Sequence, residues 1–111
     1  MKHVNVLGEK YRIVERNYLE DPRLIEYAGY CDKTSRTIVI SERCPPSALD
    51  VENAENSKRE TIRHELAHAF FFESGMTDWG NDERLVDWIA IQFPKMLEAM
   101  KAAGGLAEQK G

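Results

Sequence analysis

Only two cysteines, Cys31 and Cys44, occur in the 111 residues of this chain. Two are too few for the disulfide framework that staples small secreted domains, and nothing else points to an oxidising compartment, so both read as free thiols. Long apolar runs are also missing. No stretch approaches the ~20 residues that cross a bilayer, and the opening MKHVNVLGEKYR lacks the continuous apolar core of a signal peptide. The expectation is a cytoplasmic protein with no membrane partner. There is no basic excess either, and a net charge of -4 provides no electrostatic reason to expect nucleic acid. Internal repeats, low-complexity tracts and interdomain linkers are absent. Histidine is scarce: His3, His64 and His68 are the only three, and no tyrosine follows Tyr30.

What is present is an ordinary globular mixture, 42% hydrophobic and 31% charged, in a chain long enough for one core. Residues 1–103 read as a single domain and 104–111, AAGGLAEQKG without its first two residues, as a flexible tail. The first half has strand spacing. Val4 and Val6, then Tyr11, Ile13, Val14 and Tyr18, flank the turn-forming Leu7-Gly8-Glu9-Lys10, while YAGYC and RTIVIS flank the polar Asp32-Lys33-Thr34-Ser35. Two hairpins in one small sheet are expected. Pro45-Pro46 stops the last strand, and SALDVENAENSKRE reads as a loop holding at most a short helical turn.

Helices follow. Ser57 with Glu60 matches a capping box, and Ile62, Leu66, Ala69 and Phe70 have helical spacing, so a helix is predicted from about Lys58 to Ser74 with Gly75 as its stop. Asn81 or Asp82 can cap a second helix with Leu85, Ile89, Phe93, Met96 and Met100 along one side, kinked or ended at Pro94. Trp79 and Trp88 are expected in the core. The fold class is therefore α+β, a small antiparallel or mixed sheet followed by two main helices.

The segment TIRHELAHAFFFESG sets His64, Glu65 and His68 among aromatic residues. Residues four apart on a helix are stacked roughly 5–6 Å apart, so His64 and His68 can reach one cation, and Glu65 lies about 100° round the helix from His64. This is HExxH, in which two imidazoles bind zinc and the glutamate is the general base for a water. Burying two unpartnered imidazoles would otherwise cost free energy that a metal or hydrogen bonds must offset. A catalytic zinc needs a third protein ligand and one open position. His3 is remote in sequence, and the downstream acids are Glu73, Asp78, Asp82, Glu83 and Asp87. Glu73 points to another face of the first helix. Glu83 and Asp87 have i,i+4 spacing on the second, and the small Ala90 continues their face and permits close helix approach. Glu83 is then the ligand, and Asp87 the outer acid that accepts the second N–H of His64.

HELAH followed by ERLVD resembles the HExxH…ExxxD pattern of gluzincin metallopeptidases, and its compactness is similar to the single-domain minigluzincins. ERLVDWIAIQFP also resembles the pattern of the ImmA/IrrE-type metallopeptidases of phages and mobile elements. The resemblance covers roughly residues 28 to 94. It implies a zincin-like fold, a Zn2+ cofactor, a peptide or protein substrate, and Thr37 to Ser41 as an edge strand beside the cleft, open to β-addition. Larger gluzincins add a His or Tyr that stabilises the oxyanion, and here only Tyr27 and Tyr30, upstream, could serve. That gap favours a narrow substrate, a partner that completes the site, or weak activity. A second hypothesis is a non-catalytic zinc domain that binds or regulates a partner. Retention of Glu65, which a purely structural site does not need, favours the peptidase.

Overall fold

The computed structural model of the chain describes residues 2–42 and 48–107. Cys44, Pro45 and Pro46, and residues 108–111 of the expected tail, lie outside the described residues. Four strands, β1 (Lys2–Val6), β2 (Glu9–Arg16), β3 (Gly29–Asp32) and β4 (Thr37–Ser41), precede three helices, α1 (Ala48–Glu73), α2 (Thr77–Gly80) and α3 (Glu83–Ala102). The expected α+β class is what is found. Both hairpins form antiparallel, with Val6 opposite Glu9 and Asp32 opposite Thr37, and the two hairpins join through a parallel β2–β4 pairing. The first turn needs positive φ at both Leu7 (52°) and Gly8 (93°), the backbone of a two-residue hairpin whose twist matches its strands. Tyr18 is not in a strand: β2 ends at Arg16, and Tyr18 is exposed in the following turn.

Strand order is β1-β2-β4-β3, which overturns one expectation. Thr37–Ser41 is an inner strand, paired on both sides, and β3 is the edge. The chemistry agrees: Ile38, Val39 and Ile40 are all buried, as a strand covered on both faces requires. The core lies on one face of this sheet. Val6, Tyr11, Ile13, Ile38 and Ile40 meet Ala69, with Val4, Cys31, Ile62 and Leu66 packed around them. Strand positions recur every second residue and helix positions at 62, 66 and 69, so the two periods meet at one interface.

The helix α1 starts far earlier than the capping box suggested. Ser57 is inside it, its carbonyl accepting from the Thr61 hydroxyl at 2.9 Å. Nothing from Ala48 to Asn56 breaks a helix, since neither Gly nor Pro occurs there, and a Ser-x-x-Glu pair inside a continuous helix looks like a start. The stop is as expected. At Gly75, with φ of 78°, the Met76 N–H donates to the Phe71 carbonyl and the Gly75 N–H to that of Phe72, the paired bonds of a Schellman motif. Phe70, expected to anchor α1, is 43% exposed, and the smaller Ala69 takes the core position. Trp79 and Trp88 are likewise outside the core, 57% and 52% exposed.

Asp82 caps α3, its carboxylate accepting from the Arg84 and Leu85 amides. The buried line of α3 is Val86 and Ala90, while Phe93 and Met100 of the expected apolar side are exposed. α3 continues through Pro94. Proline has no N–H, so the carbonyl four residues earlier, that of Ala90, has no intrahelical donor. Arg63 of α1 supplies one, its Nε donating to that carbonyl at 2.6 Å. Arg63 is thus an interhelical tie.

Candidate metal centre

His64 and His68 sit one turn apart on α1, and the Schellman stop at Gly75 turns the chain so that α3 returns alongside. Each imidazole is fixed by its Nδ1. In His64 that atom is 2.9 Å from Asp87 Oδ1, and in His68 it is 2.7 Å from the Gly80 carbonyl. A carbonyl can only accept, as can an ionised carboxylate, so each Nδ1 carries a proton, and in the neutral form of each ring it is Nε2 that presents the lone pair. Gly80 is required for this arrangement. A Cβ there would stand 3.0 Å from Phe71 Cβ and Phe72 Cε1, so any other residue pushes α2 and its carbonyl away from His68. Phe72 stacks against the His68 ring, centroids 5.9 Å apart and planes at 19°, which restricts the ring further.

The free Nε2 atoms converge. They lie 3.2 Å apart, and the Glu83 carboxylate reaches both, Oε2 at 3.2 Å from His64 and Oε1 at 3.1 Å from His68. Three electron-pair donors with no hydrogen between them repel one another unless a cation or added protons lie among them. A tetrahedral ion with bonds of ~2.0–2.1 Å holds its ligand atoms about 3.3 Å apart, and with one atom taken from each residue the three lie within 4.8 Å of one another, within reach of a common ion. The donor set, two imidazoles and a carboxylate, fits the same ion. His64, His68 and Glu83 are also the group among the described residues whose ligand atoms could hold a metal. Glu83 is exposed, so one side of the cluster faces open groove.

The other acids have different partners. Glu73 pairs with Arg36 at 3.3 Å, and Asp82 is spent on the α3 cap. Asp78 is exposed and belongs to no metal-holding group. His3 is exposed on β1, opposite Arg12. Glu65 is the unusual one. It is only 6% exposed, makes no hydrogen bond to another described residue, and lines the groove on both sides of the histidines. Burial raises its carboxyl, the nearby His64 opposes and Glu83 adds to the rise, so that the metal-free protein holds it at about 7. A carboxyl near neutrality suits proton transfer in both directions.

Of the two tyrosines, Tyr30 is engaged: its hydroxyl bonds to Asp21 and Arg23. Tyr27 is exposed and lines the groove beside His64 and Glu65. The Gly80 carbonyl and the Phe72 ring were not anticipated. A backbone acceptor leaves no mark in a sequence, and Phe72 lies among three consecutive phenylalanines with nothing to single it out. No protein-family model matches the chain, and no curated protein and no solved structure matches it either.

Proposed function

We propose that the chain is a small zinc-dependent metallopeptidase of the gluzincin pattern, with His64, His68 and Glu83 as ligands and Glu65 as general base. The observation that carries this reading is the convergence of both Nε2 atoms and the Glu83 carboxylate beside a buried, unpartnered glutamate. A structural zinc site needs four closed ligands and no such base.

A bound zinc ion would supply Lewis acidity and lower the pKa of a water to about 7. Asp87 and Gly80 keep the two imidazoles in the ligating tautomer. Glu65 takes the proton from water as its oxygen adds to the peptide carbonyl, and returns it to the nitrogen when the C–N bond breaks. Tyr27, which lines the groove beside His64 and Glu65, would be the hydroxyl that donates to the developing oxyanion.

The substrate backbone has a place on β3. The Ser41 N–H donates to the Ala28 carbonyl at 2.9 Å, and these residues are directly opposed. Alternate pairs in an antiparallel ladder exchange hydrogen bonds, so Tyr30 and Asp32 bond to β4 while Gly29 and Cys31 turn their N–H and C=O groups to the open edge. An extended peptide can add there. Gly29 keeps this edge against α1, since a Cβ would meet the Val39 carbonyl at 2.6 Å and Thr61 Cγ2 at 3.0 Å.

The decisive experiment measures zinc content and cleavage of a peptide mixture by wild type and Glu65→Gln. One zinc per chain in both, with cleavage lost in the variant, is expected. Equal cleavage by both proteins sinks the peptidase reading, and zinc bound with no cleavage at all supports a regulatory zinc domain.

A further inference from the structure

The cleft between β3 and α1 has two chemically different ends. Around the N-terminal end of β3 it holds a space of about 500 Å³ bordered by Glu26 and Glu60 as well as Glu65 and Asp87. Towards the other end, the space of about 300 Å³ over the His64, His68 and Glu83 cluster is bordered on its far side by Cys31 and Phe72. The nearby cations have hydrogen-bond or ion-pair partners other than Glu26 and Glu60. Lys58 is paired with Glu15, Arg63 with the Ala90 carbonyl and Arg59 with Asn56. Glu26 and Glu60 have no ion-pair partner among the described residues. Lys33 stands beside Phe72 at the other end, its Nζ 4.8 Å over the ring.

Acids alone would be an ordinary solvated surface, but these border the same groove as the nine-tenths-buried, unpartnered Glu65. Building on the peptidase reading, we infer that this cleft selects a peptide with lysine or arginine on the C-terminal side of the scissile bond and a large apolar residue on its N-terminal side. Direction follows from the ladder. A peptide adding antiparallel to β3, the more stable pairing per residue, runs opposite to the strand. Its N-terminal part then lies beside Cys31 and Phe72, and its C-terminal part beside Glu26 and Glu60. Lys33 disfavours a basic residue at the first end, and the acids disfavour an acidic one at the second, so discrimination has a repulsive component at both.

The test uses zinc-loaded protein and a mixture of peptides of near-random sequence, with cut sites identified by mass spectrometry. Lysine and arginine should be enriched just after the cut by roughly threefold to tenfold, as one or two exposed ion pairs allow. Glu26→Gln/Glu60→Gln should abolish that enrichment and Glu26→Lys/Glu60→Lys should invert it toward acidic residues. A second readout needs no turnover: the metal-free Glu65→Gln protein should bind a fluorescein-labelled apolar-then-lysine peptide more tightly than its glutamate counterpart, with a difference that shrinks as salt rises. Cleavage with no charge preference, or a preference that survives both double variants, overturns the inference and leaves the peptidase reading intact. Absence of zinc-dependent cleavage removes both.

Discussion

His64 and Asp87 illustrate how single side chains divide the labour of the site. Asp87 touches Nδ1 of His64 and not the converging Nε2 atoms, so Asp87→Ala should leave the proposed cation site formed but weaken zinc affinity about 10–100-fold, read by competition with a chelating dye. His68→Ala or Glu83→Ala should abolish stoichiometric zinc, and Glu83→Ala with unchanged affinity would hand the third position to another acid. If Tyr27 donates to the oxyanion, Tyr27→Phe lowers kcat by about 10²-fold or more with KM little changed. Tyr30→Phe should act differently, through the fold, since its hydroxyl is bonded to Asp21 and Arg23.

At the scale of elements, the crossing of α1 and α3 depends on a defect and its repair. Pro94 orphans the Ala90 carbonyl and Arg63 satisfies it. Arg63→Met should therefore cost about 1–3 kcal/mol in the native background, the penalty for a buried acceptor left unpaired. In a Pro94→Ala background the new N–H can serve Ala90, and the cost of Arg63→Met should fall by most of that amount. Chemical denaturation of the four proteins measures this coupling. Additive losses would mean that Arg63 acts only through packing. Gly29→Ala belongs here as well: the close approach of the Val39 carbonyl predicts a loss of about 1–3 kcal/mol, the usual range for overpacking.

What could be read in advance follows the same division. His64, Glu65 and His68 were legible because four-residue stacking is a local property of a helix, independent of what packs on it. Glu83 and Asp87 were legible for the same reason on the next helix, given one short connection. Strand order was not, because it is decided by pairing between Arg12–Arg16 and Thr37–Ser41, more than twenty positions apart. The unbroken Ile38-Val39-Ile40 run was the available hint, since an edge strand with one wet face alternates. The start of α1 was obscured by a genuine capping sequence in the wrong place. Arg63 carried no signal in the sequence because its partner is a carbonyl exposed only by a proline on another helix.

For the whole molecule, the proposed zinc and the pH each give a prediction for stability. Zinc that binds only the folded chain should raise the thermal midpoint with concentration, by RT ln(1 + [L]/Kd), about 2.7 kcal/mol at a hundredfold excess over Kd, and a chelator should remove the gain. The pH handle is Asp21, buried under the turn that leads into β3. Hydrogen bonds from Tyr30 and then Arg23 hold its carboxyl below the ordinary value of 3.8. A lowered folded pKa means stabilisation that is present above 3.8 and lost as pH falls through the folded value. Wild type should thus exceed Asp21→Asn in urea midpoint near neutrality, and the gap should close on acidification below 3.8.

The three ligand residues span only His64 to Glu83, two helices and the turn between them, whereas the burial of Glu65 and the open edge of β3 require the sheet. Closing so short a loop costs little chain entropy, and local contacts form before distant ones. On the zinc reading proposed above, the ligand set is therefore complete within a local hairpin, before the sheet that buries Glu65 is needed. On that reading, a zinc-bound hairpin that lacked its sheet would hold the metal without the cleft that cleavage requires.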